Sequence, residues 1–149
     1  MAKRMLDVTA SELKNYKKKE LLESIVKSEG RVMAAECIGL IMPILSDVTN
    51  AEFAAAMGAD IVLLNMFDVK KPVIQALPEV EAIDTVKELK HLTGRVIGIN
   101  LEPVEETDTL ENQGTMWEMS EGRKATVENA SIARDMGVDM ILLTGNPGN

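Results

Sequence analysis

"NAEFAAAMGADIVLLN", residues 50–65, and "NASIARDMGVDMILLT", residues 129–144, are two versions of one pattern. Each opens on Asn, runs through small and apolar residues to a Met-Gly pair, turns at an Asp and climbs into an apolar run. A Gly just past a periodic segment stops a helix, and a short apolar run bounded by turn residues reads as a strand buried on both faces. A helix, Gly, strand unit used twice in one chain marks a repeated element. Such reuse suits a (β/α)8 barrel better than a doubly wound sheet, with a flavodoxin-like order as the competing arrangement.

Outward from this pair the chain keeps alternating. "TASELKNYKKKELLESIVKSEG", residues 9–30, has a capping box at Thr9 and Glu12 and a stop at Gly30. It predicts one amphipathic helix, with Leu13, Tyr16, Leu21, Leu22, Ile25 and Val26 near one face and Lys17, Lys18 and Lys19 in solvent. A second capping box, Thr49 with Glu52, opens the helix that Gly58 ends. Further helices are expected from Pro78 to Leu92 and from Thr126 to Met136, and strands near 31–39, 60–67, 95–102 and 139–145. The expected fold class is α/β: an N-terminal helix, then (βα)3β, with parallel strands joined by right-handed crossovers in a single domain over 1–149. A complete barrel needs about 250 residues. The expectation is therefore the first half of a (β/α)8 TIM barrel, cut just after its fourth strand.

Composition limits the function classes. The chain has 149 residues, 46% of them hydrophobic, and few aromatics, so its core must be built from Leu, Ile, Val, Ala and ten Met. A formal charge of −8 repels phosphate backbones and anionic lipid, which argues against nucleic acid and membrane surfaces as partners. A lone Cys37, no secretory signal and no bilayer-length apolar run point to the cytoplasm. Cys/His metal clusters, a Ser/His/Asp arrangement and a dinucleotide fingerprint are all missing from the sequence, so no nucleotide cofactor is expected.

"TASELKNYKKKELLESI", "GADIVLLNMFDV", "GINLEPVE" and "LLTGNPG" together resemble the front half of an uncharacterised bacterial TIM-barrel family loosely labelled phosphoenolpyruvate-phosphonomutase-like, or dehalogenase-like. The resemblance runs over essentially the whole chain. It implies a barrel fold and a site at one end of it. The family continues past the Gly-rich turn through a helix and four further βα units. Phosphonomutase-like enzymes cluster acidic residues for Mg²⁺ at strand ends, where "GINLEPV" offers Glu102 alone.

Strand parity says where chemistry would sit. Val32, Ala34 and Glu36 share a face, as do Ile61, Leu63 and Asn65; Gly98, Asn100 and Glu102; and Leu142, Thr144 and Asn146. Polarity arrives at the C-terminal end of all four, where barrel enzymes place their active sites. A carboxylate within an apolar strand must be paired, ligate a metal or shift its pKa. Glu36 and Glu102 are thus the candidate catalytic residues, as general base or hard-metal ligand, against the plainer alternative of an ion pair with Arg31 or Arg95. Asp68 joins Glu102 as a further oxygen donor for Mg²⁺. Asn65, Asn100, Thr144, Gly145, Asn146 and Gly148 are candidate substrate contacts, the last four in a Gly-rich turn able to present N–H groups to an anion. Lys70 and Lys71 read as a solvated loop, with positive charge at the same mouth as the alternative; His91 reads as a helix-end cation and Cys37 as a small buried hydrophobe.

Two features point beyond a lone enzyme. "LIMPIL", residues 40–45, is an apolar loop that covers the site, meets another subunit or packs under the following helix, and "VEETDTLENQGTMWEMSEGRK", residues 104–124, is a long acidic loop, either functional or mobile. Two functions follow. One is the half-barrel of an enzyme that binds a small anionic metabolite, phosphorylated or not, for lyase, mutase or aldol-type chemistry. The other is a catalytically silent fragment or self-assembling module, a homodimer or higher oligomer closed through its open sheet edges.

Overall fold

The computed structural model describes residues 2–103 and 119–145. Four strands, β1 (Ala34–Ile38), β2 (Ile61–Asn65), β3 (Val96–Leu101) and β4 (Met140–Leu143), form one all-parallel sheet in the order β1-β2-β3-β4. A flavodoxin-like sheet would place β1 between β2 and β3, so the sequential order removes that alternative. Helices α3 (Asn50–Ala56), α4 (Thr85–Thr93) and α5 (Val127–Met136) connect or follow the strands and lie on a single face. There Ala51, Val86, Leu89, Ala133 and Met136 meet Val62, Leu64, Ile97 and Ile99 in one cluster. Each Leu or Ile buried in that layer contributes about 1.5–3 kcal/mol, which makes it the chief stabilising contact. The result is a mixed α/β fold with a half-barrel-like wall. Among the described residues no helix is long and apolar enough to cross a membrane.

The repeated motif has a structural meaning. Gly58 and Gly137 follow their helices at φ +105° and +92°, conformations that residues with a Cβ rarely adopt. The Asp two residues on then brackets the strand before it. Asp60 accepts from the Met33 N–H at 2.8 Å while its own N–H donates to Met33 O at 2.8 Å. Asp139 repeats this with Ile97, at 2.9 Å in both directions. The motif therefore sets the register of each new strand against its neighbour.

The inner face carries the other parity. A sheet open at both edges would leave Ile61 and Val96 of this face in water, yet they are only 5% and 2% exposed. Met5, Leu13, Leu21 and Ile25 of the N-terminal segment cover them, reaching Leu63 and Met140 at the margin. That segment also differs from the single helix expected over 9–30. A 3-10 turn (Met5–Asp7) leads to a short α1 (Ala10–Leu13), a break, and α2 (Lys18–Lys27). In the break, Asn15 Nδ2 donates to Ser11 O at 2.9 Å and the Lys17 N–H to Glu20 Oε2 at 3.2 Å, while Tyr16 Oη accepts from the Lys3 N–H at 3.1 Å. The chain folds back on itself and so covers the N-terminal end of the sheet. The helix expected from Pro78 also starts late, at Thr85 after a 3-10 turn (Ala82–Asp84). Helical hydrogen bonding begins only where Val86 and Leu89 can pack on the sheet, because short helices draw their stability from such packing.

Gly98 divides the inner face in two. A Cβ there would stand 2.5 Å from Leu63 Cδ2 and 2.7 Å from Met140 Cγ. Its absence lets those side chains close over the middle, separating the lower half from an upper half in which Glu36 is exposed and Asn100 is buried.

Candidate functional site

The upper half is polar. Asn100, on β3, reaches across β2 and its Nδ2 donates to Glu36 Oε1 on β1 at 3.1 Å. Asn100 is 4% exposed, yet its Oδ1 has no hydrogen-bond partner among the described residues. Thr144, just past β4, donates its N–H to Leu101 O at 3.1 Å and leaves a buried Oγ1 unpartnered. Buried polar atoms are nearly always satisfied, so two orphans of matching parity at one end of a sheet mark a place where a partner belongs. Asn65 Oδ1 is turned back to the Met66 N–H at 2.8 Å, and Met66 holds φ +58° as the chain leaves β2. A left-handed non-Gly residue at the strand end is a local strain of the kind found beside functional sites.

The two candidate carboxylates part company. Glu36 is exposed, so burial does not oblige it to pair. The Asn100 amide orients it instead, leaving oxygen lone pairs free for a proton or a ligand. Glu102 is 7% exposed and does form an ion pair, with neither Arg31 nor Arg95 but with Arg123, Nη2 to Oε1 at 2.6 Å. The Glu102 N–H donates to Arg123 O at 2.9 Å and the Ala125 N–H to Glu102 O at 2.8 Å, extending β3 by one bridge. Arg31 instead bonds Glu29. Arg123 escaped sequence reasoning because it sits in a stretch with no periodicity, 21 residues from its partner.

Asp68 is engaged locally: its Oδ1 accepts from the Lys70 and Lys71 N–H groups at 2.7 and 3.0 Å. Lys70 Nζ pairs with Glu128 at 3.2 Å. Gly145 is exposed, while Asn146, Gly148 and residues 104–118 of the acidic connection lie outside the described residues. Among the described residues no group of three His, Cys, Asp or Glu side chains could hold a metal ion. With Glu102 neutralised by Arg123 and Asp68 turned to backbone, those residues do not fit a divalent cation. Cys37 is half-buried against the helix layer, and burial, with the Glu36 charge beside it, pushes its thiol up to about 11. It stays a neutral thiol at physiological pH and is a poor nucleophile.

The upper end therefore combines an exposed, oriented carboxylate, unsatisfied buried polar atoms and a charged pair beside them. Residues 6–149 match the family model described as "Domain of unknown function (DUF7916)". The chain belongs to that family. No curated protein and no solved structure matches it. In this family member the candidate site consequently rests on geometry: Glu36 with Asn100 at its centre, Thr144 beside them in strand order, and Glu102 with Arg123 at the strand end.

Proposed function

We propose that the C-terminal end of the inner face binds a small anionic metabolite, and that the barrel to which this half-wall belongs performs proton-transfer chemistry of the lyase, mutase or aldol class. The supporting observation is the Asn100–Glu36 pair with its unpartnered Asn100 Oδ1. Glu36, solvent-facing and held by the amide, is the general base, and Asn100 Oδ1 and Thr144 Oγ1 accept and donate to hydroxyl groups of the substrate. Arg123 is taken up by Glu102, so that pair shapes the strand end as a neutral unit beside the Glu36 carboxylate. The Gly-rich sequence that begins at Gly145 would offer backbone N–H groups to the anionic substrate. No step is assigned to Mg²⁺. A reducing cytoplasm suits the lone thiol.

The test is a panel of small carboxylates and phosphorylated metabolites, followed by amide NMR on the whole chain. A true ligand should shift signals at the C-terminal ends of β1 and β3, and Glu36→Gln should weaken it by about 10-fold, the loss of one hydrogen bond to a charged group. Because Glu36 is exposed, the same variant should unfold at the wild-type temperature. A ligand that binds Glu36→Gln and Asn100→Ala as well as wild type would defeat this reading. It would leave the second one, a silent self-assembling module, which the exposed edge strands independently favour.

A further inference from the structure

At the opposite end of the sheet, α1 lies against the N-terminal end of β3: a Cβ on Gly94 would stand 2.8 Å from Ala10 Cβ. Around that contact, between α1 with its following turn and the last turn of α4, is a cavity of about 420 Å³. Its charge runs against that of the chain. The sequence has 24 Asp and Glu against 16 Lys and Arg. The cavity wall holds Lys14, Lys87, Lys90, His91 and Arg95 against one acid, Asp139. Each oxygen of that acid is already engaged, one by Lys90 Nζ at 2.6 Å and the other by the Ile97 N–H at 2.9 Å. Lys87 is held by Asp84 at 2.7 Å. Among the described residues Lys14, His91 and Arg95 have no side-chain partner, and Arg95 Nε is buried with its hydrogen bond unmade.

We propose that this cavity is an anion-binding site, taking a small molecule whose phosphate or carboxylate head sits on Arg95 and Lys14 and whose body lies against Leu13, Tyr16 and Val96. Arg95 is part-buried, and its Nε has lost hydration without gaining an acceptor; an oxyanion is the acceptor whose geometry matches its planar fork. Lys14 adds a mobile point charge at the rim. Tyr16 contributes a ring face, and its hydroxyl, which accepts from the Lys3 N–H, keeps its own proton to donate. The apolar residues on the wall favour an organic anion over a bare inorganic one. The site is independent of the one proposed around Glu36, since the Leu63 and Met140 side chains close over the sheet between them.

The chain has one histidine, so the His91 ring protons report from the cavity wall without assignment. The whole chain is titrated with inorganic phosphate and, separately, with acetate, at constant pH and at an ionic strength held with sodium chloride. Saturable movement of the His91 signals in the millimolar range is expected for at least one anion, and the one that saturates first identifies the head group. Arg95→Gln should weaken that binding by about 10-fold or more, as befits hydrogen bonds to a charged partner. Lys14→Gln, at an exposed position that folding does not need, should weaken it by about 3-fold and decides the matter if Arg95→Gln fails to fold. The same titration of Glu36→Gln should match wild type; loss of the His91 response there would assign the anion to the other end. Signals that drift without saturating, or saturate equally in wild type and Lys14→Gln, would overturn the proposal.

Discussion

Gly122 is where two connections meet over the candidate site. A Cβ on it would fall 1.7 Å from Asp68 Oδ1 and 2.8 Å from the Lys70 backbone nitrogen, and its carbonyl accepts from the Val69 N–H at 3.3 Å. The obstruction includes backbone, so it cannot simply swing aside. Gly122→Ala should push the two connections apart, loosen Arg123 from Glu102 and destabilise the fold by about 1–3 kcal/mol, the usual cost of overpacking. Gly145→Ala, whose added Cβ meets nothing within 4 Å, is the control and should leave the urea midpoint where it was. An unchanged midpoint in Gly122→Ala would mean that the Asp68 turn is not docked there. This close approach was not legible in the sequence, where "SEGRK" looks like any polar connection. Strand parity did place Glu36 and Asn100 on one face, and the Asn100–Glu36 bond shows them together. Glu36 is exposed although its strand is apolar, because exposure depends on what lies across the sheet and not on the strand's own residues.

Among the elements, local signals fared best. Both capping boxes form, with Thr9 and Thr49 accepting from the N–H groups of Glu12 and Glu52 at 3.3 and 3.0 Å, because each is complete within four residues. The break between α1 and α2 was invisible, since "KNYKKK" contains neither Gly nor Pro and the Lys3–Tyr16 bond that accompanies the break is a tertiary contact. That folded-back segment is anchored by Glu12, whose carboxyl the Lys3 ammonium, and then the Thr9 N–H and hydroxyl, hold down to about 2. A depressed carboxylate stabilises above its ordinary value of 4.5 and loses that contribution as pH falls toward about 2. Acidification across this window should therefore release α1 before the sheet: amide exchange at Ala10–Leu13 should rise while Val62, Leu64, Ile97 and Ile99 stay protected. Because Glu12 is at the surface, added salt should move the release to higher pH. Simultaneous loss of both sets would show that the segment is not a separate unit.

For the whole molecule, the sheet is open at both sides: among the described residues β1 pairs only with β2, and β4 only with β3. Closure into a barrel whose interior side chains can fill takes about eight strands, and the four described strands leave β1 and β4 as edges. What lies on those edges is apolar. Leu142 is 46% exposed on the inner face and Leu143 68% exposed on the other, while Ile41, Met42, Ile44 and Leu45 stand out from the connection after β1. The N-terminal segment relieves only the lower inner face, through Met5, Leu13, Leu21 and Ile25. A second copy, related by a twofold axis and set edge to edge, would pair the free N–H and C=O groups and cover both leucines, burying on the order of 2,000 Å² or more. The expected species is therefore a homodimer, or a higher closed oligomer. Light scattering after size exclusion should return at least twice the chain mass at micromolar concentration. Leu143→Lys, which puts a charge on the exposed edge and removes nothing from the core, should shift the population to monomer with its helical circular dichroism retained. A wild-type chain that stays monomeric and well folded would show that these edges are protected by something other than self-association.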